Sequence, residues 1–241
     1  MTIAESTVLV TGANRGIGQA LVEEALQRGA KRVYAGTRRP FAHLDERVTP
    51  LVLDVTDTAQ VRDAVERVGS LNLLVNNAGV ALLDDLSDPA AIEQHLDVNL
   101  FGLYRVSQAF LPALTQSRGA IVNVLSLAAL APVPITPAYS ISKAAAFSLT
   151  QSLRALLAGR GISVHAVLSG PVDTDMIRDW DLPKASPESV ACAIFDGVEN
   201  EEEDIFPDPM SEAMAEGWRG GVVKAFERQN ATMVAAEQVE A

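Results

Sequence analysis

Short, almost continuous apolar runs alternate along the chain with longer stretches in which apolar residues recur every three or four positions. Thr7-Val-Leu-Val-Thr11 is a buried-strand pattern bounded by Gly12. From Gly16 to Arg28 the apolar stripe Ile17, Ala20, Leu21, Ala25 and Leu26 predicts a helix that Gly29 stops. Arg32 to Gly36 and Pro50 to Asp54 predict the second and third strands. Asp57 is placed to cap a helix reaching about Val68, and Leu71 to Asn76 reads as a fourth strand. One long helix is expected from about Pro89 to Thr115, a fifth strand over Gly119 to Leu125, and a helix from Ala138 to Ala158. Ile162 to Leu168 is a sixth strand, Pro187 to Val198 a helix, and Asp204-Ile-Phe206 a last edge strand. The acidic run Asn200 to Asp204 reads as a solvated loop. Met210 to about Val234 reads as a helix interrupted at Gly217, Gly220 and Gly221.

Apolar strands alternating with amphipathic helices predict an α/β fold: one Rossmann-type, doubly wound parallel sheet of about seven strands with helices on both faces. No linker divides residues 1–241, so a single domain is expected, with a helical tail from about residue 208. Such sheets bind ligands at the carboxyl ends of their strands.

Charge narrows the choice of partner. The chain carries 19 Lys and Arg against 31 Asp and Glu, a net charge of −12. That balance repels phosphate backbones and speaks against a nucleic-acid partner. Cys192 is the only cysteine, so no disulfide forms within the chain. Its apolar neighbours predict a buried helical position. His43, His95 and His165 are scattered, and no His or Cys cluster has metal-ligand spacing. No signal-peptide pattern and no apolar run of membrane-spanning length is found, so a soluble cytoplasmic protein is expected.

Two stretches carry candidate chemistry. Thr11-Gly-Ala-Asn-Arg-Gly-Ile-Gly18 joins the first strand to the first helix. Glycines there admit a close backbone approach, and a helix start offers free N–H groups to a pyrophosphate. In the second stretch, Tyr139 and Lys143 are four residues apart on one helix and share a face. An ammonium beside a phenol favours the phenolate and is expected to lower the tyrosine pKa from its usual ~10.

With these motifs in order the chain resembles the short-chain dehydrogenase/reductase family. That family carries Thr-Gly-x-x-x-Gly-x-Gly, matched by Thr11 to Gly18, and Asn-Asn-Ala-Gly, matched by Asn76 to Gly79. It carries a serine ending the fifth strand, here Ser126, a Tyr-x-x-x-Lys, here Tyr139 and Lys143, and an asparagine in the long helix, here Asn99. The chain departs from the family at Ser169-Gly170-Pro171, where Pro-Gly is frequent, and at Leu125, where a serine is frequent. The resemblance implies NADP(H)-dependent hydride transfer between nicotinamide and a ketone, aldehyde or secondary alcohol. Tyr139 would be the general acid/base, Ser126 would orient the carbonyl oxygen, and Lys143 would tune the phenol. Asn99 would hold a water linking Lys143 to solvent. It further implies a cofactor held by Gly12, Asn14, Arg15, Gly16, Ile17, Gly18, Thr37, Arg38, Asp54, Val55, Asn77, Ala78 and Gly79. Tyr139, Lys143, Gly170, Pro171, Val172 and Thr174 complete that set.

Leu82, Leu127, Val133, Met176, Ile177 and Trp180 are the candidates for an apolar substrate pocket, with Pro171 to Ser186 as its lid. The alternative reading is a catalytically silent NADP-binding sensor or scaffold, and a third is dehalogenation or epimerisation on the same fold. The second strand ends Thr37-Arg38-Arg39 with no carboxylate, so Arg38 and Arg15 are expected to favour a 2′-phosphate. Neither metal nor membrane is expected. A small-molecule carbonyl or alcohol is the expected partner. Apolar residues spread around the long helix and the Tyr139 helix, among them Phe101, Leu103, Val106, Phe110, Phe147 and Leu156, predict a homodimer or homotetramer.

Overall fold

The computed structural model of the chain describes residues 1–39 and 41–239. Strands β1 (Thr7–Thr11), β2 (Arg32–Thr37), β3 (Val48–Val52), β4 (Leu73–Asn76), β5 (Ala120–Val124), β6 (Ser163–Val167) and β7 (Asp204–Ile205) form one sheet. Its order is β3-β2-β1-β4-β5-β6-β7, and every neighbouring pair is parallel. Successive strand residues point to opposite faces, so each apolar run feeds two cores. Val8, Val10, Leu73 and Val75 pack under α1 (Gly16–Gln27) and α6 (Pro187–Glu199). Leu9, Leu74 and Ile121 pack on the other face, under α2 (Thr58–Val68), α4 (Leu103–Ser117) and α5 (Pro137–Leu157). The doubly wound architecture read from the sequence is the one observed.

Three details differ from the sequence reading. The third strand starts two residues early, because Val48 to Val52 pair with Val33 to Thr37 along one edge only. Pro50 is tolerated there because its missing N–H belongs to an edge strand. The long helix is not uniform: α3 (Pro89–Leu96) passes through a π-helical stretch, Asp97–Gly102, into α4. Gly102 makes room for Val55, whose Cγ2 would lie 2.6 Å from a Cβ at that position. Cys192 is exposed rather than buried, beside the Arg28 guanidinium, which donates to its carbonyl at 3.1 Å.

The acidic run is the largest correction. Asp204 is 3% exposed and belongs to a buried ion cluster, not to a solvated loop. Lys224, itself 1% exposed, reaches Asp204 at 2.6 Å, Glu227 at 2.9 Å and Glu203 at 3.1 Å. Arg154 donates to Asp204 at 2.7 Å and also pairs with Glu227, and the Trp218 indole donates to Asp204 at 2.7 Å. These charges fasten α7 (Pro209–Arg219) and α8 (Val222–Val239) to the β7 edge and to α5. Gly217 lies within α7 without interrupting it. The break falls at Gly220-Gly221, where a Cβ on Gly221 would meet the Gly217 carbonyl at 2.7 Å. Of the residues expected to face another subunit, Val106, Phe110 and Phe147 fill this chain's own core, whereas Phe101 and Leu156 are exposed with Tyr104 and Ile141. No helix among the described residues is long and apolar enough to cross a membrane.

Candidate active site

The carboxyl ends of β1, β4, β5 and β6 meet at one crevice, and most of the candidate residues stand there. The glycine turn after β1 is built around three conformational demands. Gly12 and Gly16 take φ of +66° and +53°, and a Cβ on Gly18 would lie 2.2 Å from the Gly12 carbonyl oxygen. Asn77 laces this turn to β4: its Nδ2 donates to the carbonyls of Thr11 at 3.0 Å and Gly12 at 3.2 Å. The Thr11 hydroxyl accepts from the backbone N–H groups of Asn77 and Ala78, each at 3.0 Å. The Asn77 side chain therefore shapes the turn and is already engaged.

The start of α1 differs from the other helix starts. Side chains of Asp57, Asp88, Ser186 and Asp208 cap α2, α3, α6 and α7, and Asp84 accepts from the Ala138 N–H near the start of α5. At α1 no side chain caps the N–H groups and no carboxylate lies in the first turn. Free N–H donors and the positive end of the helix dipole face the glycine turn. Asn14 and Arg15 on this turn are exposed, and Gly16 and Ile17 half-buried. Thr174 stands over the turn, its Cγ2 only 3.0 Å from the point a Cβ on Gly16 would occupy. This combination fits a dinucleotide pyrophosphate.

The adenine end is carried by β2 and the loop after β3. Thr37 is buried, and its hydroxyl donates to the Arg39 carbonyl at 2.6 Å. Arg38 is exposed without a hydrogen-bond partner among the described residues. Arg15 instead pairs with Asp175 at 3.3 Å, so any phosphate it meets competes with that carboxylate. Asp54 does not cap α2, a task left to Asp57; it accepts from the Thr56 N–H at 3.0 Å. The Val55 carbonyl is taken by Arg105.

At the nicotinamide end, Ser126 follows β5 in extended conformation and starts a short 3₁₀ turn, Leu127–Ala129. Its Oγ accepts the Ala128 N–H at 3.1 Å, which leaves the hydroxyl hydrogen free to donate. Tyr139 lies in the first turn of α5, half-buried, with the His95 ring edge-on at 6.4 Å. His95 is itself fixed: Nδ1 meets the Ala91 carbonyl at 2.6 Å, and Nε2 accepts the Leu82 N–H at 3.0 Å. Lys143 is buried one turn further on and donates to the Val124 carbonyl at 2.9 Å, with Nζ 5.7 Å from the Tyr139 ring centroid. Burial lowers the Lys143 pKa to about 8.

One expectation needs correction at this end. Burial raises the Tyr139 pKa above its ordinary value, and an interaction with the Ser126 hydroxyl pulls only partly the other way. Desolvation is the larger effect, so the phenol stays protonated at neutral pH as an ordinary tyrosine does. Both hydrogens of the Asn99 carboxamide are also engaged. It donates to the Val80 carbonyl and to Ser142 Oγ, and accepts the Val80 N–H, each at 2.9 Å. No carboxamide hydrogen remains for a water. Its work is to fix the strand after Gly79, where a Cβ would stand 3.2 Å from Asn99 Oδ1 and 3.7 Å from Lys143 Nζ.

Beyond β6, the segment 173–184 is an excursion closed at its base. Asp173 N–H donates to the Ala185 carbonyl at 2.9 Å and Ala185 N–H to the Pro171 carbonyl at 3.0 Å, beside a bridge between Val172 and Ala185. Met176, Ile177 and Trp180 lie on this excursion, Met176 exposed and the others half-buried. Leu127 is half-buried beside Ser126, Val133 is held through its N–H by Ser140 Oγ at 3.0 Å, and Leu82 is exposed. The Gly170 N–H is already engaged by the Asp208 carboxylate at 2.7 Å. Asp84, Asp175, His95 and Asp208 were not singled out for the site from the sequence. Only the Asp208-Pro209-x-Ser211 capping pattern is visible there. Among the described residues no group of three or more His, Cys, Asp or Glu could hold a metal ion.

Comparison with known proteins agrees with this geometry. The family profile described as short chain dehydrogenase matches residues 6–184. An uncharacterized oxidoreductase of Staphylococcus saprophyticus is 33% identical over 210 residues, 79% of this chain and 90% of the relative. The NADPH-dependent 1-acyldihydroxyacetone phosphate reductase of Schizosaccharomyces pombe is 36% identical over 186 residues, 71% of this chain and 61% of that protein. The crystal structure of a short chain dehydrogenase from Burkholderia cenocepacia in complex with NADP superposes with a TM-score of 0.85 at 38% identity, covering 91% of this chain and 95% of that one.

Proposed function

The chain belongs to the short-chain dehydrogenase family, and from that premise we propose that it is an NADP(H)-dependent oxidoreductase acting on a carbonyl or the corresponding alcohol. The observation that carries this reading is the grouping of Ser126, Tyr139 and Lys143 at the carboxyl end of β5, with the lysine buried and bonded to one carbonyl. The NADP of the Burkholderia structure and the NADPH in the name of the Schizosaccharomyces relative support the choice of cofactor. So do the uncapped start of α1 and the absence of a carboxylate after β2.

When bound, the nicotinamide supplies or accepts the hydride. The chain's own residues handle the proton and the orientation. Ser126 donates its free hydroxyl hydrogen to the substrate oxygen and sets its direction. Tyr139, protonated at neutral pH, gives its proton to the oxygen as negative charge develops there. Lys143 carries positive charge at neutral pH, and that charge favours the tyrosinate left behind. Gly12, Gly16 and Gly18 let the backbone approach a pyrophosphate, while Arg15 and Arg38 are the guanidiniums available to a 2′-phosphate.

A panel of ketones and aldehydes with NADPH, followed by the fall in reduced-nicotinamide absorbance, tests the reading. Turnover with at least one neutral carbonyl compound is expected. Tight NADPH binding without turnover across the panel would leave the silent binding protein as the better account.

A further inference from the structure

The tail is docked at the site, not appended to the fold. Asp208, 5% exposed, accepts the Gly170 N–H at 2.7 Å through Oδ2, while its Oδ1 caps α7 by accepting the N–H groups of Met210 and Ser211. One buried carboxylate thus ties the start of α7 to the loop at the end of β6. A Cβ on Gly170 would lie 2.7 Å from Asp208 Oδ1 and 3.3 Å from Met210 Cβ, so a side chain there would push the start of α7 away. Ser169, the residue before, accepts the Leu127 N–H at 2.9 Å and so connects this contact to the turn that begins at Ser126. On its inner face α7 packs Ala215 and Trp218 into the cluster that holds Leu127, Leu130 and Phe147. Met210 and Met214 are one helical turn apart on the flank beside Gly170, and they remain 50% and 42% exposed.

Two half-exposed thioethers on the flank beside Gly170, one contact removed from the turn that follows Ser126, form an adaptable apolar surface. The segments around the mouth are acidic: residues 80–88 and 173–184 carry seven aspartates against Arg178 and Lys184. Such a rim repels phosphorylated, carboxylated or acidic carrier-bound substrates. We propose that α7 is the substrate-side wall of the site, and that Met210 and Met214 select a carbonyl compound with an uncharged, apolar body. The inference rests on the carbonyl-reductase reading but concerns a surface that the chemistry of Ser126 and Tyr139 does not require.

The chain has five methionines, so ε-¹³C-methionine labelling gives a spectrum assignable with Met210→Leu and Met214→Leu. NADP⁺-loaded protein is titrated with 2-decanone and, separately, with the anionic 3-oxodecanoate, while reduction of both is followed with NADPH. The methyl signals of Met210 and Met214 should move with 2-decanone, those of Met1 and Met233 should not, and 3-oxodecanoate should need at least a tenfold higher concentration. Met210→Glu should raise KM for 2-decanone about tenfold with KM for NADPH unchanged. Reduction of 2-decanone with both α7 methyl signals unmoved would overturn the wall and leave the reductase reading standing. Movement of both signals without reduction would uphold the wall and leave the reductase reading to the ketone and aldehyde panel. Equal binding of 3-oxodecanoate would overturn the charge selection, and no response to 2-decanone in either measurement would overturn the proposal while the ketone and aldehyde panel decides the reductase reading separately.

Discussion

Holding an ammonium at the Val124 carbonyl, in the interior beneath Gly79, opposes folding. A Lys143 value of about 8 against the ordinary 10.5 corresponds to about 3 kcal/mol against the charged folded state. The unfolded chain binds more protons than the folded one between about pH 8 and 10.5, so this group makes stability rise with pH across that window. Lys143→Met should therefore raise stability by roughly 1–3 kcal/mol at pH 6 in denaturant titrations, with the margin narrowing above pH 8, while activity is lost. A variant less stable than the parent at pH 6 would show that the lysine is a net structural asset. Tyr139 and Lys143 are readable as a pair in the sequence because they stand four residues apart on one helix, whereas Ser126 joins them through the family resemblance. Protonation is not readable there, since it depends on burial: the Tyr139 shift runs opposite to what its cationic neighbour alone would give.

At the scale of elements, β1, β4 and β5 are legible because each is a mostly apolar run buried on two faces. The tail is not. Arg154 and Asp204 are 50 residues apart in sequence, and Gly170 and Asp208 are 38 apart, so no local pattern announces either contact. An acidic run normally marks a solvated loop, and this one is pulled inward only because Arg154 and Lys224 converge on it. Removing one partner from a buried cluster leaves uncompensated charge. Lys224→Met should cost about 3 kcal/mol or more and should loosen α7 and α8 before the rest of the chain. Hydrogen exchange would register this as early loss of protection in residues 209–234. Lys224 and Arg154 hold Glu203 and Asp204 below the ordinary carboxylate range, against the opposing effect of burial. Their contribution is complete above the unfolded values near 4 and is lost as the pH falls through the lower folded values. With Trp180→Phe as background, Trp218 fluorescence should report an acid transition beginning below about pH 4, and an unchanged signal down to pH 2 would contradict the docking role.

The whole molecule carries −12, and on the proposed reading Arg15 and Arg38 meet a 2′-phosphate against that background. Charge-assisted hydrogen bonds from two guanidiniums should favour NADPH over NADH by on the order of 100-fold in kcat/KM, about 3 kcal/mol. Arg15→Ala with Arg38→Ala should erode this preference through KM for NADPH, whereas Asp175→Asn, which frees Arg15, should lower that KM. Equal use of both cofactors by the parent protein would make Arg38 an ordinary surface charge. The exposed Phe101, Tyr104, Ile141 and Leu156 on two neighbouring helices further predict a dimer or tetramer by light scattering at micromolar concentration, and a monomer would contradict that. The central claim is that a hydride passes from the cofactor to a carbonyl carbon while Tyr139 supplies the proton. NADPH deuterated at the transferring C4 position, incubated with a ketone found in the panel, tests it by mass spectrometry of the alcohol. The parent should place one deuterium on the carbinol carbon, and Tyr139→Phe should do so at least 100-fold more slowly with cofactor affinity unchanged. An alcohol without deuterium, or a Tyr139→Phe variant as fast as the parent, would contradict the account.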